Sequence, residues 1–80
     1  MNNKHLLETS QFFTFEEYIN YEDINFELYY DDYGMSYFLA WVDPISGETK
    51  EWSCGMGNDY KYDLIDIAMS IKKQKGENNE

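Results

Sequence analysis

The sequence predicts an α+β fold, in which a three-stranded antiparallel β-meander is flanked by a short N-terminal helix and a C-terminal amphipathic helix. Three runs dense in aromatic and β-branched residues predict the strands, because such residues suit a pleated surface. These runs span residues 26–30, 35–42 and 49–54, with a turn signal between each run and the next. The predicted element order is αβββα.

Two turn signals close the predicted hairpins. The first is Asp-Asp-Tyr-Gly at 31–34, in which Gly34 is free to take a positive φ. The second spans 43–48, with Pro44 at a turn-initiating position and Gly47 at the left-handed position. Connections this short join antiparallel neighbours, so the three strands should pair in chain order.

The turns also set the strand register, which decides the side chains that share a face. A two-residue loop in the first turn pairs Leu28 with Leu39, and the second turn pairs Leu39 with Trp52. A three-residue loop would flip the first strand relative to the second. We prefer the first register because it places both Trp residues on the core face. That face consists of Phe26, Leu28, Tyr30, Tyr37, Leu39, Trp41, Trp52 and Cys54. The opposite, open face consists of Glu27, Tyr29, Asp31, Ser36, Phe38, Ala40, Val42, Thr49, Glu51 and Ser53.

A short helix is predicted before the sheet. Thr14 and Glu17 form a capping-box pattern, which is typical of a helix start. Phe15, Tyr18 and Ile19 then recur at helical spacing. The alternative is that the two Phe residues before this segment form a strand, or a hydrophobic staple against Tyr18.

A longer helix is predicted after the sheet, from about Tyr60 to Lys73. Asn58 or Asp59 is positioned to cap it, and the acids near its start and lysines near its end suit the helix dipole. Its apolar stripe consists of Leu64, Ile67, Ala68 and Ile71, widened by Ile65 and Met69. We expect this stripe to lie across the face that carries the two Trp residues.

The length of 80 residues suffices for one domain with a modest core. The predicted domain spans 1–80, with an ordered core at about 12–73 between polar tails at 1–10 and 76–80, and only Leu6 and Leu7 of the first tail are expected to dock. One Cys forms no intramolecular disulfide, and the start Met-Asn-Asn-Lys is unlike a signal peptide or a membrane span. We therefore expect a cytoplasmic protein.

The charge balance excludes several classes of partner. The chain has 16 acids, 6 Lys and no Arg, for a net charge of −10. Such a field repels phosphate, and without Arg the chain lacks the side chain that grips phosphate in a bidentate way. We expect no direct binding of nucleic acid and none of an anionic membrane.

No catalytic, cofactor or metal site is predicted. His5 and Cys54 are each the only residue of their kind, but nothing in the sequence supplies the orienting partner that nucleophilic catalysis needs. Gly55-Met56-Gly57 is similar to half of a phosphate loop, but the third glycine and the Lys are missing and Asp59 and Asp63 would repel a phosphate, so we interpret it as a strand-to-helix turn. The adjacent acid pairs match no calcium-loop spacing. A chain this small has little room for a concave pocket, so we expect a protein that is not an enzyme.

Acids and aromatic residues alternate on the predicted sheet and its first turn. Alternate residues of a strand lie about 6.6 Å apart, so acids on one face form spaced negative charges on a rigid support. Such an array would attract a basic nucleic-acid groove of another protein at long range. The predicted partner-binding residues are Glu27, Tyr29, Asp31, Asp32, Tyr33 and Glu51.

The predicted element order, size and acidity resemble those of small phage-encoded anti-CRISPR proteins and other DNA-mimic inhibitors. The resemblance covers the whole chain, rests on architecture and charge, and carries over no individual residue. It implies an inhibitor that binds the basic nucleic-acid-binding surface of a bacterial defence nuclease or CRISPR effector. The alternatives are an immunity protein that neutralises a nuclease toxin, and a small structural or regulatory interaction module.

Overall fold

Four antiparallel strands and one helix make up the described part of the chain, residues 5–78 of the computed structural model. The elements are β1 (Phe13–Tyr21), β2 (Ile24–Asp31), β3 (Ser36–Val42), β4 (Thr49–Gly55) and α1 (Tyr60–Asn78), and the strand order in the sheet is β1-β2-β3-β4. The prediction of three strands and an N-terminal helix is therefore wrong. The outer ends of the predicted polar tails, 1–4 and 79–80, lie outside the described residues.

The segment predicted as the N-terminal helix is strand β1, and a bulge explains the misleading spacing. Phe15 pairs with Tyr29 and Glu17 pairs with Leu28, so Glu16 is an extra residue in β1. A bulge adds one residue to the two-residue period of a strand. Phe15 and Tyr18 therefore lie on the same face, with ring centroids 4.7 Å apart, although three positions separate them. This three-residue step imitates the period of a helix.

A two-residue turn joins β1 to β2. Tyr21 pairs with Ile24, and the two residues between them, Glu22 and Asp23, have φ of 52° and 64°. Two consecutive positive φ angles are the mark of a type I′ turn, whose twist matches that of the flanking strands. β1 and β2 are thus a tight hairpin.

The predicted registers of the other two hairpins are confirmed. Leu28 pairs with Leu39, and Leu39 pairs with Trp52. Gly47 has the expected positive φ, 79°. In the β2–β3 turn, however, Met35 takes a positive φ of 55°, while Gly34 does not. The expectation for Gly34 is wrong because the loop has four residues, between the paired residues Asp31 and Ser36.

The main core lies between the sheet and α1, on the side we call the helix face. Its buried members are Ile24, Phe26, Leu28, Leu39, Trp41, Cys54, Leu64, Ala68 and Ile71. Trp52 was expected there, but it is 54% exposed, because β4 is an edge strand and has a neighbouring strand on one side only. The expected widening of the helix stripe is also wrong, since Ile65 and Met69 are both exposed.

The opposite side of the sheet is covered over β2 and the middle of β3, contrary to the expectation of an open face, whereas its members at the β4 side, Val42, Thr49, Glu51 and Ser53, are exposed as expected. In the covered part, Tyr29 and Ala40 are fully buried, and Glu27 is 8% exposed. The cover begins with His5–Leu7, which we call the N-terminal segment, and continues with aromatic rings of β1. Phe13 stacks on Tyr29 with ring centroids 5.2 Å apart. We call this side the N-terminal face.

The different burial of the two Trp residues predicts different effects on stability. Trp41 is 7% exposed and packs against Phe26 at a centroid distance of 5.7 Å. Trp41→Ala should lower the free energy of unfolding by about 3–5 kcal/mol, because it leaves a cavity in the core. Trp52→Ala should lower it by roughly 1 kcal/mol, since much of that ring is already in water. Urea unfolding measures both; equal losses would contradict the described position of β4.

Candidate protein-binding surface

Two of the predicted partner-binding residues, Glu27 and Tyr29, are buried and hydrogen-bonded to the N-terminal segment. The Tyr29 hydroxyl and the Leu6 backbone N–H both donate to Glu27 Oε1, the latter at 2.9 Å. The Leu7 N–H donates to the Tyr29 hydroxyl oxygen at 3.1 Å. The His5 ring stacks on Phe15 at 4.2 Å, with its buried Nδ1 3.9 Å from Glu27 Oε1. The predicted exposure of Glu27 and Tyr29 is therefore wrong, because the N-terminal segment covers both side chains.

This arrangement satisfies a group that is costly to bury. A carboxylate removed from water is tolerated only when it receives hydrogen bonds or a charge partner, and Glu27 receives two hydrogen bonds. Burial, and then the bond to Glu27, raises the pKa of the Tyr29 phenol to about 12. Tyr29 therefore remains a donor to Glu27 at neutral pH, and both residues are structural.

Three other predicted partner-binding residues lie together at the β2–β3 turn. Asp31 ends β2 and its Oδ1 accepts a hydrogen bond from the Tyr33 N–H at 3.1 Å, which fixes the start of the turn. Asp32 is exposed and donates its own N–H to the Phe12 carbonyl at 2.8 Å. Tyr33 is 79% exposed. The backbone of the turn is thus tied to the segment before β1.

The hydrogen bond between Asp32 and Phe12 also places the Phe12 ring beside the turn. The Phe12 and Tyr33 rings have centroids 4.8 Å apart, and Phe12 is 39% exposed. Ser10 holds Phe12 in place, since its Oγ accepts the Phe12 N–H and its backbone pairs with Phe13. We call this surface the hairpin tip; it consists of Phe12, Asp31, Asp32, Tyr33 and the exposed Met35.

Among the described residues, no lysine forms an ion pair with a carboxylate of the hairpin tip. The lysine ion pairs of the described chain lie elsewhere: they join Lys50 to Glu48 and Lys72 to Glu22, both at 3.7 Å. Both pairs lie at the opposite end of the sheet from the tip, near the β1–β2 and β3–β4 turns. Two carboxylates and two exposed rings thus share one acidic and apolar surface.

Glu51, the last predicted partner-binding residue, is exposed on β4 but lies away from the tip. It pairs with Ala40, which pairs with Glu27. Asp31 is four residues further along β2, or about 14 Å, and two strands across. The structure therefore separates the predicted set into a buried pair, a group at the tip and one acid at the sheet edge.

The two residues considered for nucleophilic chemistry lie on opposite sides of the sheet. Cys54 is buried in the core of the helix face, whereas His5 lies on the N-terminal face. Burial raises the pKa of the Cys54 thiol to about 12, and the nearby Asp63 carboxylate adds to the shift. The thiol is therefore protonated at neutral pH, and the sheet prevents contact with His5.

Sequence reasoning missed Phe12 and Met35 as members of the candidate surface. Phe12 was interpreted as a strand residue or a staple, and Met35 as the start of a strand. Neither carries a local signal for its position. Phe12 reaches the tip only through a backbone bond to Asp32, and Met35 is exposed by a left-handed φ that normally favours Gly.

No family model, curated protein or solved structure matches this chain. Among residues 5–78, no cluster of three or more His, Cys, Asp or Glu side chains is arranged to hold a metal ion. Within the same residues, no helix is both long enough and apolar enough to cross a membrane.

The internal role of Tyr29 predicts the effect of removing its hydroxyl. Tyr29→Phe leaves the Leu7 N–H without its acceptor and removes one donor from Glu27. We expect a loss of about 1–3 kcal/mol in the free energy of unfolding, because both groups are poorly hydrated. Tyr30→Phe is the matched control: Tyr30 is half-buried and packs edge to face against Tyr37, with no hydroxyl hydrogen bond among the described residues. Equal stability of the two variants in urea would refute the internal role.

Proposed function

We propose that this chain is a cytoplasmic binding protein, not an enzyme, which inhibits a protein partner by occupying its basic nucleic-acid-binding surface. The proposed centre of contact is the hairpin tip. The observation that carries the proposal is the exposed pair of tilted, contacting rings, Phe12 and Tyr33, beside the carboxylates of Asp31 and Asp32. A bacterial defence nuclease or CRISPR effector is the partner class that we favour.

The two chemistries of the tip have separate roles in binding. Aromatic side chains supply much of the affinity in protein interfaces, because they bury a large area and lose little conformational entropy. Carboxylates chiefly speed encounter with a basic surface and select against acidic ones. The net charge of −10 adds long-range attraction to any basic partner.

The structure changes the predicted mode of mimicry. A row of charges that includes Glu27 does not reach the surface, because the N-terminal segment covers this residue. We therefore propose competition with nucleic acid by a compact aromatic and acidic contact, in place of a copied phosphate spacing. The affinity should still fall as salt concentration rises, since the contact pairs opposite charges.

The test is capture of partners from a nuclease-treated bacterial lysate on the immobilised protein, followed by mass spectrometry. We expect basic nucleic-acid-binding proteins, released by added double-stranded DNA. Tyr33→Ala and Asp32→Lys should each lower their recovery by about tenfold or more, because both change the proposed centre of contact. Glu48→Lys makes the same charge change in the turn before β4, at the opposite end of the sheet, and should have little effect.

Two results would contradict the proposal. One is recovery that neither tip variant changes, and the other is capture that DNA does not compete with. All three substituted positions are exposed, so the variants should unfold at nearly the wild-type temperature. A melt of each variant checks this before capture is compared.

A further inference from the structure

The outer edge of β4 has no neighbouring strand among the described residues. β4 is the last strand of the sheet, and its regular part pairs residues 49–53 with residues 38–42 of β3. The only irregularity lies at its end, where Cys54 is an extra residue opposite Tyr37 and Phe38. Such an edge is a template for another strand, unless Pro, bulges or a covering element block it. The regular part of β4 contains no Pro.

The hydrogen-bond pattern shows which backbone groups face outward. The Asp43 N–H donates to the Glu48 carbonyl at 2.8 Å, so this opposed pair is hydrogen-bonded. Hydrogen-bonded and non-hydrogen-bonded pairs alternate along an antiparallel ladder. Lys50 and Trp52 therefore bond to β3 through their backbone groups. The N–H and C=O groups that point away from β3 are those of Thr49, Glu51 and Ser53.

A groove of about 370 Å³ adjoins this edge on the helix face. Trp41 and Trp52 line its sheet side, and Asp63, Asp66 and Ile67 of α1 line its other side. Trp52, 54% exposed, is the large aromatic surface nearest the open edge. The groove therefore combines an accessible indole ring with carboxylates on the facing helix.

The charge of the groove indicates a cationic occupant. Its side chains include three carboxylates, of Asp43, Asp63 and Asp66, against the single cation of Lys50. The Lys50 Nζ is 3.7 Å from Glu48 Oε1, which offsets its charge. Asp66 is exposed, and no lysine among the described residues pairs with it.

We propose that the β4 edge and this groove bind an extended basic segment of a partner protein as a fifth strand. A strand added here would lie about 4.8 Å from β4 and bond to the outward groups of Thr49, Glu51 and Ser53. Its alternate side chains would fall beside Trp52 on the helix face. An Arg at such a position stacks on the indole and reaches towards the carboxylate of Asp66.

The same charges disfavour a second copy of this chain as the occupant. Another copy brings a net charge of −10 to a groove that is itself acidic. Paired β4 edges would also bring the Glu51 side chains of both copies to one interface. This surface is separate from the hairpin tip, so the inference stands or falls independently of the proposed function.

The first test uses a fluorescein-labelled peptide that alternates Arg and Thr, with a Glu-for-Arg peptide as control. We expect the Arg peptide alone to bind in fluorescence anisotropy, and Trp52→Ala and Asp66→Lys each to weaken it by about tenfold. Trp52→Phe keeps an aromatic face and should bind nearly as well as wild type. Tyr33→Ala, at the hairpin tip, should have no effect.

The second test locates the added strand by amide hydrogen exchange. The peptide should slow exchange at Thr49, Glu51 and Ser53, and leave Lys50 and Trp52 unchanged, since their amides already bond to β3. An Arg peptide methylated on its alternate backbone nitrogens should not bind. The proposal is overturned by equal binding of the Glu peptide, by unweakened binding to both groove variants, or by binding without protection of the edge. Sedimentation that shows a dimer protected at the same amides would assign the edge to a second copy instead.

Discussion

The structure depends on the burial of Glu27 under the N-terminal segment. A four-stranded sheet with aromatic residues on both faces needs cover on both, and the single helix of the described chain covers one. The other face is covered by the chain that precedes β1. Its backbone is held where Leu6 donates to Glu27 and Leu7 donates to Tyr29. The Glu27 carboxylate thus anchors the segment that covers the second face.

The extent of the two covers determines which apolar and acidic side chains remain exposed. The N-terminal segment lies over Glu27 and Tyr29, and the helix leaves Trp52 half uncovered. Apolar side chains are therefore exposed where each cover ends, at the hairpin tip and along β4. Both places also carry carboxylates that form no ion pair with a lysine in the described part of the chain. Binding surfaces of proteins combine these features, with aromatic anchors for affinity and charges for selection.

The sequence predicted the parts of the fold that local chemistry determines. Pro44 and Gly47 specify the β3–β4 turn, which sets the register of that hairpin. The stripe of Leu64, Ala68 and Ile71 predicts the buried side of α1. These signals lie within a few residues of the feature they predict, so no tertiary information is needed.

Other features depend on contacts that are distant in the chain. The bulge at Glu16 gave β1 the spacing of a helix, and the Glu22-Asp23 turn lacks the Asn-Gly pattern typical of its type. Glu27 alternates with apolar residues as an exposed strand acid would, and only its tertiary contacts, among them the bond from Leu6, show that it is internal. For the same reason Asp31, Asp32 and Tyr33 were predicted as a surface, whereas their partner Phe12 was not.

The most direct test of the account is amide hydrogen exchange of the N-terminal segment, measured by NMR at neutral pH. If this segment covers the second face, the amides of Leu6 and Leu7 should exchange far more slowly than those of an unstructured peptide, and Tyr29→Phe should release the Leu7 amide first. The account would be contradicted if both amides exchanged at unstructured rates while the amides of β2 and β3 stayed protected. In that case the second face would be open, and Glu27 would belong to the surface.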